Sequence, residues 1–150
     1  MKVVIQRVSQ ASVTIDGIVK GQIDKGLLVL CGFVDDDTDD DLQWTAAKIA
    51  GLRIFNDQNG VMNLALADVG GDLLVVSQFT LHAMTKKGNR PSYIMAAKPD
   101  IARPLYEKFV AKLGGITGKE IQTGEFGADM KVSLLNDGPV TIIIDSKNKI

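Results

Sequence analysis

A chain of 150 residues, 45% of them hydrophobic, suffices for one domain with a substantial core and is too short for two comfortable ones. The formal net charge of −1 argues against a general nucleic-acid binder, which normally carries a strong basic excess. A single cysteine excludes an intrachain disulfide, residues Met1–Arg7 carry no signal-type apolar segment, and no apolar run approaches a membrane span, so a cytoplasmic protein without membrane contact is expected.

In chain order, Val3–Val8 and Ala11–Lys20 alternate like strands, and the Asp16-Gly17 step predicts a tight turn. Gly26–Val34 reads as a buried strand, in which Cys31 is a small hydrophobe rather than a nucleophile. Asp35, Asp36, Asp37, Asp39, Asp40 and Asp41 then precede a helical stripe of Leu42, Ala46, Ile49 and Leu52. Negative charge suits a helix N-terminus, so these carboxylates read as a solvated helix entry rather than a metal cluster. Asn56–Gly60 is turn-like and Val61–Leu66 a short strand or loop.

Asp72–His82 changes character midway. Leu73–Val76 has the composition of a strand buried on both faces, whereas from Ser77 an alternation would place Gln78, Thr80 and His82 on one face and Phe79 and Leu81 on the other. That polar face is either the wall of a site or a wet sheet edge. Ala83–Pro99 is a long segment bearing Lys86, Lys87, Arg90 and Lys98, and long surface segments in compact domains are often functional.

Asp100 is a suitable N-cap for a second helix with Ile101, Leu105, Phe109 and Leu113 at helical spacing, ended by Gly114-Gly115. Strands are predicted at Lys119–Gln122, Met130–Leu135 and Val140–Asp145, the last two separated by the turn chemistry of Asn136-Asp137-Gly138 with Pro139 after it. The predicted fold is α/β: a single domain with a mostly antiparallel, barrel-like β-sheet and two helices packed outside.

Elimination narrows the chemistry. One His and one Cys cannot build a zinc site, and neither a nucleophile elbow, a Walker loop nor a dinucleotide fingerprint is present, so no cofactor or metal is expected. Thr80 and His82 form at most a minimal nucleophile–base pair, which stays open. Hydrolysis of an activated ester needs no cofactor, because donors aimed at the developing oxyanion supply much of the acceleration. Ser77, Gln78, Phe79 and Thr80 can offer such donors through backbone N–H groups, hydroxyls and an amide.

Ser77–Leu81 (SQFTL) and Asn136–Thr141 (NDGPVT) together resemble the two signature motifs of the D-aminoacyl-tRNA deacylases. The segments IQRVSQASVTIDG, GLLVLCG, GLRIFND followed by MNL, RPSY and QTGEFGADMKVSLL resemble that family in the same order. The resemblance implies hydrolysis of D-aminoacyl-tRNA, with glycyl-tRNA also accepted and the terminal ribose 2′-hydroxyl assisting attack. It implies a homodimer in which a cis Gly138-Pro139 dipeptide of one subunit enters the other's pocket as a chirality filter. It further implies that Arg7 braces that dipeptide and that Ala102, Phe126 and Met130 lie near the terminal adenosine of the tRNA 3′ end. Two other functions stay open: a small esterase using Thr80, and a non-catalytic module that binds RNA ends.

Overall fold

The computed structural model describes residues Met1–Ile150. In chain order it contains β1 (Lys2–Ile15), β2 (Ile18–Ile23), β3 (Gly26–Gly32), α1 (Asp39–Gly51), β4 (Phe55–Asn56), β5 (Met62–Leu64), β6 (Asp72–Ser77), α2 (Pro99–Thr117), β7 (Gln122–Thr123) and β8 (Lys131–Asp145). One six-stranded sheet runs β2-β1-β3-β6-β7, with β8 on the free edge of β1, and β4 and β5 form a separate small ribbon. The sheet curls until β2 meets β7, giving a nearly closed, barrel-like architecture in one α/β domain.

The expectation of a mostly antiparallel sheet needs correcting, because the sheet is mixed. β1 pairs antiparallel with β2, β3 and β8, whereas β6 lies parallel to both β3 and β7. Each parallel step requires a crossover, and α1 and α2 are those crossovers. The continuous apolar runs of β3 and β6 carried the signal, since strands buried on both faces do not alternate.

Two cores follow from the alternation across those strands. Leu27, Val29, Cys31, Leu73 and Val75 pack with Leu42, Ala46 and Ile49 of α1 and with Tyr106, Phe109 and Leu113 of α2. Leu28, Leu74 and Val76 point the other way, joining Val8, Ala11, Val13 and Ile15 inside the curl. Register irregularities in β1 between Gln6 and Gln10 change which alternate residues face inward.

Helix ends differ from expectation. In α1 the Thr38 side chain and Asp41 form a reciprocal capping box. The acidic entry is only partly solvated, for Asp37 and Asp41 are buried: Asp37 pairs with the Met1 amino group, and Lys147 Nζ lies 2.8 Å from Asp41 Oδ2. In α2 Lys98, not Asp100, is the N-cap, because Pro99 occupies the first helical position, where its missing N–H leaves no donor unsatisfied. That helix passes Gly114-Gly115 and ends at Gly118. Its buried stripe uses Ala102 and Tyr106, while Ile101 faces solvent. No helix is long and apolar enough to cross a membrane.

Candidate active site

The Gln78 N–H donates to Cys31 O at 2.7 Å, the last rung between β6 and β3. β3 ends at Gly32, so no partner strand continues beyond it, and Phe79–His82 turns into a 3-10 helix closed by Leu81 N–H to Gln78 O at 3.3 Å. The expected strand face of Gln78, Thr80 and His82 therefore does not exist: backbone groups without a neighbouring strand are satisfied by i to i+3 bonds instead. Gly32 makes this turn possible, since a Cβ there would lie 2.7 Å from Gln78 O and 3.1 Å from His82 Cδ2.

Beside the turn opens a cavity of about 540 Å3, with Ser77, Gln78, Phe79, Ala102, Phe126 and Met130 on its wall. Thr80 is not on that wall; its Oγ1 accepts a hydrogen bond from the Gln78 amide at 2.5 Å. His82 is 8% exposed, lies outside the lining, and has no partner for Nε2. The Arg103 guanidinium sits 5.0 Å above the Phe126 ring, which also meets Tyr106.

Two further groups lie against this wall. Burial pushes the Cys31 thiol up, well away from thiolate chemistry. Burial likewise pushes the Tyr106 hydroxyl up, and that hydroxyl donates to Val75 O at 2.8 Å, locking α2 onto β6. Sequence reasoning missed Tyr93 and Lys98 as lining residues. Tyr93 meets Phe79 edge-on with ring centroids 5.1 Å apart.

A second cluster surrounds Gly138 and Pro139. The expectation of two strands joined by a turn fails here, because Lys131–Asp145 is one continuous strand. Gln6 pairs with Thr141 and Val8 with Asn136, so residues 137–140 bulge opposite Arg7 alone. Asn136 Nδ2 closes the base of the bulge, donating to Arg7 O at 3.0 Å and Val140 O at 3.1 Å. The Gly138-Pro139 peptide is cis and Gly138 has φ 135°, a left-handed value suited to glycine.

Arg7, only 6% exposed, spans this cluster. Its Nε donates to Asp137 O at 2.9 Å and its Nη1 to Ile54 O at 2.8 Å, with Asn56 Oδ1 at 3.4 Å. A Cβ on Gly138 would lie 2.8 Å from Arg7 Nη2, so the guanidinium bears directly on the dipeptide. The predicted residues thus form two groups: Ser77, Gln78, Phe79, Ala102, Phe126 and Met130 around the cavity, and Arg7, Gly138 and Pro139 at a bulge that lines no part of it.

Comparison with known proteins bears on this arrangement. The family model described as D-Tyr-tRNA(Tyr) deacylase matches residues 4–145. A D-aminoacyl-tRNA deacylase of Flavobacterium psychrophilum is 66% identical over 149 residues, 99% of each chain. One from Parabacteroides distasonis is 64% identical with the same coverage. A solved structure described as c-Myc DNA unwinding element binding protein superposes with TM-score 0.91 at 38% identity, covering 97% of this chain and 98% of that one. Another, described as "a probable eukaryotic D-amino acid tRNA deacylase", has TM-score 0.82 at 18% identity over 95% and 97% of the two chains, and shows the fold alone. With its family model matched almost end to end and its relatives nearly two-thirds identical, the chain belongs to the D-Tyr-tRNA(Tyr) deacylase family.

Proposed function

We propose that this chain hydrolyses the ester bond of D-aminoacyl-tRNA, releasing free D-amino acid and tRNA, and works as a cytoplasmic homodimer. The observation that carries this is the separation of its two motif clusters. The Gly138-Pro139 bulge lies on β8, an edge strand paired only with β1, and forms no part of its own chain's cavity wall. A second copy would bring the bulge to the cavity. The β8 edge also exposes Leu135 and Ile143, surface that a second copy would cover.

In this reading the aminoacyl carbonyl lies against the turn at Ser77–Phe79, where donors other than the Gln78 N–H, which Cys31 O already holds, stabilise the oxyanion, Thr80 positions the Gln78 amide, and the terminal adenosine sits near Ala102, Phe126 and Met130. The terminal 2′-hydroxyl assists the attacking water. Thr80 suits the role of nucleophile poorly, because Gln78 donates to its hydroxyl oxygen and removes no proton from it. The main chain of Gly138 and Pro139 senses the α-carbon, excluding the L-side chain by clash. A missing favourable contact discriminates by only about 1–3 kcal/mol, whereas a clash with rigid backbone rejects far more strongly. Glycine has nothing to clash and is accepted.

The test is a panel of D-, L- and glycyl-tRNAs, together with Thr80→Ala and a substrate ending in 2′-deoxyadenosine. D- and glycyl-tRNA should turn over and L-aminoacyl-tRNA should not; Thr80→Ala should retain most activity and the deoxy substrate should be inert. Loss of several orders of magnitude in Thr80→Ala, with the deoxy substrate still cleaved, would replace this reading with a threonine-dependent esterase.

A further inference from the structure

The segment between the 3-10 turn and α2 has a charge pattern that the site chemistry does not use. From Leu73 to Pro99 the chain contains Lys86, Lys87, Arg90 and Lys98 and no carboxylate, although the whole chain has net charge −1. Met84 and Ser92 close this segment into a lobe through two backbone hydrogen bonds of 2.8 and 3.0 Å. Lys86, Lys87 and Arg90 stand exposed on the lobe, and the ion pairs of the molecule use other cations: the Met1 amino group, Arg7, Lys112, Lys119, Lys131 and Lys147.

The lobe is rooted at the cavity. Tyr93 and Lys98 lie on its wall, Tyr93 packs on Phe79, and Ala97 N–H donates to Phe33 O at 2.9 Å where the chain returns to the core. Arg90 is three residues from Tyr93, so its backbone stays within about 11 Å of the cavity wall. Three unpaired cations within five residues repel one another, and what relieves that repulsion is a polyanion.

We propose that Lys86, Lys87 and Arg90 hold the phosphate backbone of the tRNA acceptor stem, docking the RNA duplex while its unpaired 3′ end enters the cavity across Tyr93. This rests on the deacylase reading above. Contacts to phosphate position an RNA without reading its sequence, and A-form duplexes are recognised largely by backbone and shape. Affinity for the tRNA body would then come from one lobe, with no general basic excess.

The test uses Lys86→Gln/Lys87→Gln/Arg90→Gln in the full chain, with its fold checked by thermal melting. Uncharged tRNA is titrated against wild type and variant between 50 and 200 mM salt, and turnover is measured on D-aminoacyl-tRNA, a D-aminoacylated acceptor-stem minihelix and 3′-(D-aminoacyl)adenosine. The variant's log-affinity should fall less steeply with log salt, by about 2–3 in slope. Its KM for tRNA and minihelix should rise about tenfold or more at low salt with kcat held, and its kcat/KM on aminoacyl-adenosine should be unchanged. Identical salt slopes would overturn the proposal, as would equal loss on all three substrates. If wild type cleaves none of the substrates the deacylase reading fails, while the titration with uncharged tRNA still decides whether the lobe binds RNA.

Discussion

Arg7 and Gly138 show how one residue's geometry limits its neighbour. Arg7 serves Asp137 O, Ile54 O and Asn56 from within the protein, and truncation leaves the two backbone acceptors without it. Arg7→Ala should lower stability by about 3 kcal/mol, read from denaturant midpoints, and a Lys at this position lacks the planar fork needed to serve separate acceptors. Gly138→Ala meets two obstacles: a left-handed φ of 135° and a Cβ 2.8 Å from Arg7 Nη2 and 2.9 Å from Val140 Cγ2. It is therefore not a silent probe of the filter. The expected result is loss of D-aminoacyl-tRNA turnover together with a melting point lowered by about 3–8 °C, from a cost of about 1–2 kcal/mol. A variant with wild-type melting and turnover would show that the dipeptide's backbone is less constrained than these distances imply.

At the scale of elements, the entry to α1 joins both ends of the chain. Asp41 caps through Thr38 and also receives Lys147, while Asp37 receives the Met1 amino group and the Val34 N–H. Burial pushes the Asp41 carboxyl up, but the Lys147 ammonium and the Thr38 N–H outweigh it and hold the group well below the ordinary carboxylate range. A folded-state pKa below the unfolded one gives stability that is present above the ordinary carboxylate pKa, about 3.9, and lost as pH falls. Unfolding midpoints should thus decline below about pH 5, and Asp41→Asn should flatten that decline. An unchanged slope in Asp41→Asn would assign the acid sensitivity to other carboxylates. At neutral pH, Thr38→Ala should cost about 1 kcal/mol through loss of the cap.

For the whole molecule, the two motif clusters make a complementation experiment possible. Gly32→Ala disturbs the turn beside the cavity, because its Cβ would lie 2.7 Å from Gln78 O, whereas Gly138→Ala disturbs the bulge. In a symmetric dimer with sites shared between subunits, a hybrid of the two variants has one damaged site and one intact site. Random mixing of two inactive variants should then restore about a quarter of wild-type turnover, half the dimers being hybrids with one working site of two. Sedimentation at assay concentration should show a dimer in step with activity. No recovery in coexpressed hybrids, or an active monomer, would sink the cross-subunit site.

Local chemistry determined much of this protein in advance. The stripe of Leu42, Ala46 and Ile49 reads as a helix, Asp16-Gly17 as a turn, and Leu73–Val76 as a buried strand, because each depends on residues a few positions apart. The two motifs were likewise legible as residue order. Tertiary structure decided whatever depends on the backbone lying opposite. Ser77 ends a strand because β3 stops at Gly32, and Phe79–His82 then bonds to itself. Asn136-Asp137-Gly138 does not turn, although its composition favours turning, because β1 pairs with the chain on both sides and leaves only a bulge opposite Arg7. β6 runs parallel to its neighbours because two helices carry the chain across the sheet. Those choices turn on partners distant in sequence, and only the folded chain brings them together.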